Sequence, residues 1–478
     1  MLQYRVVAAT TLPKLKVADS RASIQPFPWD LNNGMDLFDD TKREAATTML
    51  HEYSTAILVG RAGRADIIFA DPKRTRSFLI PVDPEQADAA HKGKEQQLDV
   101  AKVAWALRAR RPQALAIIAW GHRIFIWNPE MRALVGMLRG HGGRITSIAV
   151  HPTLPHIFAT TSADCTTRIY DLNMHSADST TAHPHWMGWA GSTTSSAAHG
   201  YDGEDAKGEG IGRCILTLTG GIYGGHAWDA LGASFHPTLP LIATCGADHF
   251  VKIWRCVLSK DPSNEDKPLF SGRISTARIF SVAWISEDLL IAHAGATFMP
   301  RMSGSDRGTP ECDQGDVQDQ ANSEPLEWDR TLPGSLEVIQ WLGLERFFPG
   351  GRWDANTRSI ASDFQLSSSY TTIARLALDE EKVANEWISN IGQQLGRQLF
   401  LVYPATAEVV LVDMTQMPPS TVLFDDERSK KRARVSDPKR LVKLVTHFVQ
   451  RAVVAFAYSS IGELLILDDG GLLQRFRV

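Results

Sequence analysis

The sequence predicts an all-β fold, a β-propeller built from small antiparallel sheets, and three observations predict it. Short apolar runs with alternating residues, such as Leu231 to Phe235 and Phe250 to Trp254, are separated by turn residues and show no helical period. The pentapeptide HPTLP occurs twice, at 151–155 and 236–240. Each copy follows an apolar run that begins shortly after another His, and each is followed by two further apolar runs. A unit that recurs in this way predicts a ring of repeated sheets.

Each copy of the unit carries the same set of polar and aromatic side chains. The two sets are His141, Thr160, Asp164 and Tyr170, and His226, Thr244, Asp248 and Trp254. His, Asp and Trp at this spacing on three short strands are typical of one WD40 blade, whose repeat runs about 40–45 residues. A hydrolase triad would need an exposed nucleophile and an oxyanion hole, and the chain has no Gly-rich elbow. Because a catalytic set rarely recurs in each blade, we interpret both sets as structural hydrogen-bond relays, the one with Tyr170 being weaker.

The remaining apolar runs complete seven blades in a single domain that spans residues 1–478. Residues 2–10 are predicted to form a strand that closes the last blade. Blade one begins near Ser23. The predicted strands are 55–60 and 65–70 in blade one; 100–107, 114–121 and 123–129 in blade two; 214–220 as the outer strand of blade three; 279–284, 288–295 and 336–344 in blade five; 370–379, 396–404 and 408–414 in blade six; and 441–448, 452–460, 462–469 and 472–478 in blade seven.

Three long polar segments, at about 174–212, 300–326 and 424–440, are predicted to be insertions in the propeller. The first carries four His residues at irregular spacing without acidic or Cys partners in register, so no metal site is predicted there. The third carries a basic run of five residues, Arg428, Lys430, Lys431, Arg432 and Arg434. This run is a candidate nuclear localisation signal, and a solvated loop is the alternative.

Composition narrows the classes of function. The chain is 44% hydrophobic and 22% charged, and its net charge of −4 favours no direct binding to nucleic acid. Its five Cys residues are scattered without a Cys-x-x-Cys pair, which predicts a reducing compartment and no structural zinc. No cofactor-binding motif is present. There is no apolar run long enough to cross a bilayer and no signal peptide at Met1, so we expect a soluble intracellular protein without a membrane partner.

The segment CGADHFVKIWRC at 245–256 resembles the fourth-blade motif of the embryonic ectoderm development (EED) and extra sex combs family. Residues 139–172 resemble that family's third blade and residues 128–142 the approach to it, and weaker similarity occurs at 100–105, 279–284, 392–403 and 468–476. The resemblance implies a nuclear, non-enzymatic scaffold subunit of Polycomb repressive complex 2. Its implied partners are the N-terminal helix of a SET-domain methyltransferase, bound along the lower face, and the other subunits. The complex methylates histone H3 lysine 27 and silences genes.

Known members of the family also hold the trimethylated histone H3 tail in an aromatic cage on the upper face. Phe27 falls near the position of the first cage aromatic, with Trp29 close by. Where the family has a Trp-Tyr pair this chain has Thr372 and Ile373, and Tyr370 is the nearest aromatic. A cage needs several converging aromatic faces. The resemblance therefore implies a degenerate cage, and ordinary packing is the alternative role for Phe27 and Tyr370.

Two other classes of function remain as alternatives. A WD40 adaptor of a cullin ubiquitin ligase commonly carries Trp-Asp-x-Arg at the end of a blade's third strand, whereas this chain has Trp254-Arg255 and Tyr170-Asp171-Leu172-Asn173. A propeller hydrolase or lyase would need a set of catalytic side chains, and the sequence shows no glycine elbow, phosphate loop or metal-ligand cluster. We therefore predict no catalytic residues.

Overall fold

The computed structural model describes eighteen stretches of the chain, residues 5–11, 22–81, 100–108, 111–175, 208–219, 224–258, 263–265, 267–300, 328–332, 334–348, 370–377, 391–392, 400–405, 408–413, 441–445, 453–459, 463–468 and 471–477. Within them, nearly all regular structure is β-strand, and the strands form seven four-stranded antiparallel blades that follow one another along the chain. Five blades are separate sheets, whereas blades two and three are joined through their fourth strands into one nine-stranded sheet. This arrangement is the seven-bladed β-propeller that the sequence predicts. None of the helices in the described stretches is both long and apolar enough to span a membrane.

The first strand, β1 (Arg5–Thr11), belongs to the last blade, and the first four complete blades are formed in chain order. Their strands are β2 (Ser23–Pro26), β3 (Ile57–Arg61), β4 (Arg64–Ile68) and β5 (Arg76–Leu79) in blade one; β6 (Lys102–Arg108), β7 (Gln113–Trp120), β8 (Arg123–Asn128) and β9 (Ala133–Leu138) in blade two; β10 (Ile145–Val150), β11 (Ile157–Ser162), β12 (Thr167–His175) and β13 (Glu209–Leu218) in blade three; and β14 (Ala230–Phe235), β15 (Leu241–Gly246), β16 (Phe250–Arg255) and β18 (Phe270–Arg273) in blade four. A short strand, β17 (Ser263–Glu265), pairs in parallel with the end of β13.

The last three blades contain the remaining strands. They are β19 (Ile279–Trp284), β20 (Leu289–Ala294), β23 (Ser335–Trp341) and β24 (Tyr370–Ala377) in blade five, with a separate hairpin of β21 (Thr297–Pro300) and β22 (Trp328–Leu332); β25 (Ile391–Gly392), β26 (Phe400–Ala405), β27 (Glu408–Asp413) and β28 (Leu441–Val445) in blade six; and β29 (Val453–Tyr458), β30 (Glu463–Asp468), β31 (Leu472–Arg477) and β1 in blade seven. β1 pairs antiparallel with β31, so the two ends of the chain share one sheet.

The connections of the blades define two faces that we use below. The first-to-second and third-to-fourth strand connections lie at one end of each blade, which we call the lower face. The tight turns between second and third strands, such as those after β11 and β15, lie at the other end, the upper face. Neighbouring blades contact one another through their first strands, β6 with β10, β10 with β14 and β14 with β19. The second strands β7, β15 and β20 are therefore covered on both sides and are buried and mostly apolar.

Two Trp residues tie one blade to the preceding blade. Trp105 in β6 donates its indole N–H to the carbonyl oxygen of Gln25 at 3.1 Å. Trp284 in β19 does the same to the carbonyl oxygen of Ser234, also at 3.1 Å. Both rings are buried. The Val-Ala-Trp sequences at 103–105 and 282–284 therefore mark the contact between successive first strands, because a buried indole N–H needs an acceptor.

The repeated HPTLP segment has a matching role at the lower face. The Nδ1 atom of His236 accepts the backbone N–H groups of Thr238 and Leu239, at 3.1 and 2.8 Å, which closes the turn. The opposite nitrogen donates to the carbonyl oxygen of Glu287 in blade five at 2.8 Å, and the ring lies edge-on against Trp284. His151 closes its own turn in the same way and packs against Phe235 of blade four. The pentapeptide recurs because it both turns the chain and joins neighbouring blades.

A helix that the sequence analysis does not predict, α1 (Arg43–Tyr53), lies in the connection between β2 and β3 on the lower face. Its buried side chains are Ala46, Met49, Leu50 and Tyr53, which follow the i, i+3, i+4, i+7 pattern of an amphipathic helix. The same spacing is present in the sequence, but the flanking segments alternate as strands do, so the sequence does not single out a helix there. The second helix, α2 (Leu344–Phe347), is a single turn that follows β23.

Three predicted boundaries differ from the structure. The sequence predicts Tyr370 and the residues after it as the first strand of blade six, whereas β24 pairs with β23 and is the fourth strand of blade five. β23 is buried along its length, so its free edge needs a further strand to accept its hydrogen bonds. The first insertion is also shorter than 174–212, because β12 extends to His175 and β13 begins at Glu209, which pairs with Met137 of β9. Pro300 likewise ends β21.

Candidate functional site

The relay of blade four joins four side chains from three elements. Trp254 in β16 donates its indole N–H to the hydroxyl oxygen of Thr244 in β15 at 2.8 Å. That hydroxyl lies 2.8 Å from Nε2 of His226, and Nδ1 of His226 lies 3.0 Å from both carboxylate oxygens of Asp248. The donors run in one direction: the indole donates to the hydroxyl, the hydroxyl to Nε2, and the Nδ1–H to the carboxylate. This order requires a neutral imidazole.

Asp248 also holds the surrounding backbone. Its carboxylate accepts the backbone N–H groups of Ala227 at 3.1 Å and Phe250 at 3.2 Å, which ties the loop before β14 to the turn between β15 and β16. Burial lowers the pKa of His226, which keeps the imidazole neutral. Burial alone raises the pKa of a carboxyl, but the hydrogen bonds that Asp248 accepts from His226 and from the backbone N–H of Ala227 outweigh it, and the pKa of Asp248 is lowered. The relay is a neutral His bound to an ionised Asp.

Blade three repeats the arrangement with one difference. His141 lies 2.9 Å from Asp164 through Nδ1 and 2.8 Å from Thr160 through Nε2, and Asp164 accepts the backbone N–H of Gly142. Burial lowers the pKa of His141 as it does that of His226. Tyr170 stacks on Phe158 at 5.2 Å, and its buried hydroxyl has no hydrogen-bond partner among the described residues. Tyr170 therefore does not extend the hydrogen-bond relay of blade three.

We expect Tyr170→Phe to change the free energy of unfolding by less than about 0.5 kcal/mol, because the hydroxyl that it removes has no partner. Tyr170→Trp restores the indole donor to Thr160 and is expected to stabilise the protein by about 1 kcal/mol. Urea unfolding of both variants beside the parent measures this. A loss of about 1–3 kcal/mol on Tyr170→Phe would show that the hydroxyl is hydrogen-bonded after all.

These side chains cannot act on a substrate in this arrangement. The His141 side chain is 0% exposed and that of His226 is 2% exposed, and each carboxylate is engaged by its own blade. General base catalysis needs a base within hydrogen-bond reach of the substrate. In the part of the chain that the structure describes, no three His, Cys, Asp or Glu side chains come together as a metal site. The arrangement anchors loops on the upper face of the propeller.

The three candidate cage aromatics fall into two groups. Phe27 is 0% exposed and lies at the end of β2, edge-on against Trp29 at 5.3 Å and Trp105 at 5.4 Å. Tyr53 from α1 packs against it at 5.6 Å. Phe27 and Trp29 therefore meet, but in a closed cluster at the lower end of blade one rather than at an open pocket on the upper face.

Tyr370 lies in blade five, away from that cluster. Its hydroxyl donates to the carbonyl oxygen of Arg273 at 3.0 Å, and its ring lies edge-on against Phe270 of blade four at 5.7 Å. The structure does not bring Tyr370 to Phe27, because β24 is the outer strand of blade five. The basic run from Arg428 to Arg434 lies outside the described residues.

The lower face carries a feature that the sequence analysis does not identify. Six of the eight large apolar side chains that are exposed among the described residues lie in its connections or beside them. They are Leu31, Met131, Leu134, Leu154, Val257 and Leu342. The other two, Leu79 and Trp228, lie at the upper face. Because most of the exposed apolar side chains lie on this face, the lower face is the candidate surface for a protein partner.

Comparison with known proteins agrees with this architecture. Residues 132–171 and 212–255 match the family described as WD domain, G-beta repeat, and these two ranges contain both relays. The chain is 28% identical over 154 residues to Polycomb group protein FIE1 of Zea mays, a match that covers 32% of this chain and 25% of that protein. The predicted resemblance to Polycomb proteins is thus confirmed as a similarity. The chain spans about a quarter of the length of the curated relative it matches.

Two solved structures share the fold along the whole chain. One is a chain of the Chaetomium thermophilum Polycomb Repressive Complex 2 bound to GSK126, with a TM-score of 0.59, 13% identity, and coverage of 100% of this chain and 99% of that chain. The other is a chain from the crystal structure of the Chaetomium thermophilum complex, with a TM-score of 0.55, 13% identity, and coverage of 100% and 98%. At this identity the matches establish the fold.

Proposed function

We propose that this protein is a WD40 scaffold subunit of a histone H3 lysine 27 methyltransferase of the Polycomb repressive complex 2 type. The similarity to a Polycomb group protein over 154 residues carries the proposal. The protein binds the SET-domain subunit, supports its activity and gene silencing, and acts in the nucleus. It performs no chemistry itself, which agrees with relays whose His and Asp side chains are buried and mutually satisfied.

The lower face is the docking surface for the N-terminal helix of the methyltransferase in this proposal. The exposed apolar side chains there come from blades one to five, so a long partner segment crosses several blades. An amphipathic helix that lays its apolar face on such a surface buries side chains that would otherwise contact water. The tight inter-blade contacts of His151 and His236 make this surface rigid, which lowers the entropy cost of binding.

The proposal is tested with Leu154→Glu combined with Leu342→Glu in the full chain. Burying two unpaired carboxylates in the interface costs several kcal/mol, so we expect recovery of the SET-domain methyltransferase by affinity purification and mass spectrometry to fall at least about tenfold. Leu79→Glu is the matched control, because Leu79 is 73% exposed at the upper end of blade one, where the next residue bonds to Gly63.

Two outcomes would contradict the proposal. One is recovery of cullin ligase adaptors alone by the parent protein, which would favour the adaptor function. The other is equal recovery of the methyltransferase by the double variant and by Leu79→Glu. That result would show that the complex forms but that the lower face is not part of its interface.

We further propose that the protein lacks a working methyl-lysine cage for the histone H3 tail. The enclosure of Phe27 by Trp29, Tyr53 and Trp105 supports this, since a cation needs an accessible aromatic face. Titration of the purified protein with an H3 peptide trimethylated at lysine 27 is expected to show no saturable binding in the micromolar range, as for the unmethylated peptide. Micromolar binding that is lost on Phe27→Ala would reverse this conclusion.

A further inference from the structure

The upper face of blade four holds two neighbouring segments in one surface. The backbone N–H of Ala247 donates to the carbonyl oxygen of Asp229 at 2.8 Å, and that of Ala227 donates to the Asp248 carboxylate at 3.1 Å. These two bonds join the loop before β14 to the turn between β15 and β16. Trp228 lies in the loop and His249 in the turn, so the relay holds both at the same place on the upper face.

Trp228 is the first unusual member of this surface. Its side chain is 67% exposed, and among the described residues it has no aromatic or hydrogen-bond partner. Trp105, Trp254 and Trp284 are among the largest fully buried side chains of the propeller, so Trp228 is in a different environment from these three. An exposed Trp in a rigid loop is the residue type that most often dominates the energy of a protein interface.

The second unusual feature is unpaired positive charge. Arg273 and Arg278 are exposed and have no carboxylate partner in the described part of the chain. The Nη2 atom of Arg273 lies 3.4 Å from Nδ1 of His249. The pKa of His249 is lowered by burial and then by the charges of both arginines. Arg278 lies in the connection from β18 to β19, on the same face and five residues after Arg273. Asp248 forms no salt bridge with either arginine, and its carboxylate accepts hydrogen bonds from His226, Ala227 and Phe250.

We infer that Trp228, His249, Arg273 and Arg278 form a docking site for an acidic protein segment that carries an apolar side chain beside its carboxylates. Each guanidinium can bind a carboxylate through two parallel hydrogen bonds, and the indole supplies apolar contact area. His249 stays neutral beside the arginines. It accepts a hydrogen bond from Arg273, which fixes the orientation of the Arg273 guanidinium. The arginines bind the carboxylates of the segment, and the indole of Trp228 covers its apolar side chain.

A nucleic acid fits this surface less well than an acidic protein segment. Carboxylates also lie at this surface, since Asp229 follows Trp228 and Asp248 precedes His249. Burial and the charges of these two groups and of Asp164 raise the pKa of Cys165 to about 11. A phosphate backbone that continues past the two arginines would meet this negative charge. The net charge of the chain, −4, also opposes binding to a polyanion of many phosphates.

The test uses the full-length protein and fluorescence anisotropy with three labelled probes: a short acidic peptide with a central Leu, the same peptide with Lys at every acidic position, and short duplex DNA. We expect the acidic peptide alone to bind saturably, and more weakly as salt is raised. Arg273→Ser combined with Arg278→Ser, and separately Trp228→Ala, should each weaken binding at least about tenfold. Arg144→Ser is the matched control, since it removes an exposed arginine of blade three.

The inference is overturned if the acidic peptide does not bind, if the Lys peptide or the DNA binds as tightly, or if Arg144→Ser weakens binding as much as the double variant. The altered side chains are exposed, so unchanged thermal unfolding midpoints verify that the variants fold. The site is independent of the proposed function, because the lower-face variant Leu154→Glu with Leu342→Glu leaves it intact. Failure of one proposal is therefore distinguishable from failure of the other.

Discussion

Replacement of Asp248 by Ala is expected to lower the free energy of unfolding by about 2–4 kcal/mol. The carboxylate accepts hydrogen bonds from Nδ1 of His226 and from the backbone N–H groups of Ala227 and Phe250. Its removal leaves the buried Nδ1–H of His226 and the half-buried N–H of Phe250 without their acceptor, and each such donor costs about 1–3 kcal/mol, whereas the exposed N–H of Ala227 can bond to water. The loss also frees the loop before β14 from the turn between β15 and β16. Urea unfolding followed by Trp fluorescence measures the change.

Asp229→Ala is the matched control for this variant. Asp229 lies in the same loop, but it joins the turn through its backbone carbonyl, which Ala retains. We expect its effect to stay within about 0.5 kcal/mol. Asp164→Ala should reproduce the effect of Asp248→Ala, since Asp164 makes the equivalent bonds to His141 and Gly142. Equal small effects for all three substitutions would show that the relays do not stabilise the fold.

Replacement of Trp284 by Ala is expected to cost about 3–5 kcal/mol. The ring is buried between blades four and five, edge-on against His236 and near Trp341 at 6.5 Å. Its indole N–H also donates to the carbonyl oxygen of Ser234. The substitution opens a cavity at the contact between two first strands and leaves that carbonyl without its donor. Both effects lower the free energy of unfolding.

Trp284→Phe separates the loss of the hydrogen bond from the loss of packing. It retains most of the ring but removes the indole N–H, so we expect a loss of about 1–3 kcal/mol, clearly smaller than that of the Ala variant. Trp228→Ala is the control for removal of a Trp from the same blade pair, and it should change stability by less than about 0.5 kcal/mol because the side chain is exposed. If Trp284→Ala is no worse than Trp228→Ala, the contact between the blades does not hold the ring together.

The lower face shows which part of the candidate site the sequence does not reveal. Leu154 belongs to a turn whose sequence is repeated, yet its exposure depends on what lies beside that turn. Leu239 occupies the same position in the second HPTLP copy and is partly buried against the core of blades four and five. Two identical local sequences thus present different side chains to solvent. The difference arises from the neighbouring blade, and a pattern within one repeat contains no information about that neighbour.

The sequence by itself determined the repeat, the all-β class, and the His, Thr and Asp members of both relays. Each relay lies within one blade, and its side chains recur at nearly the same spacing in both repeats, so periodicity alone identifies them. Tertiary structure alone decided that Trp105 bonds to Gln25, that Tyr53 from α1 closes over Phe27, and that Tyr370 belongs to blade five. These contacts join different blades or an insertion to a blade, and packing in three dimensions, not spacing along the chain, selects such partners.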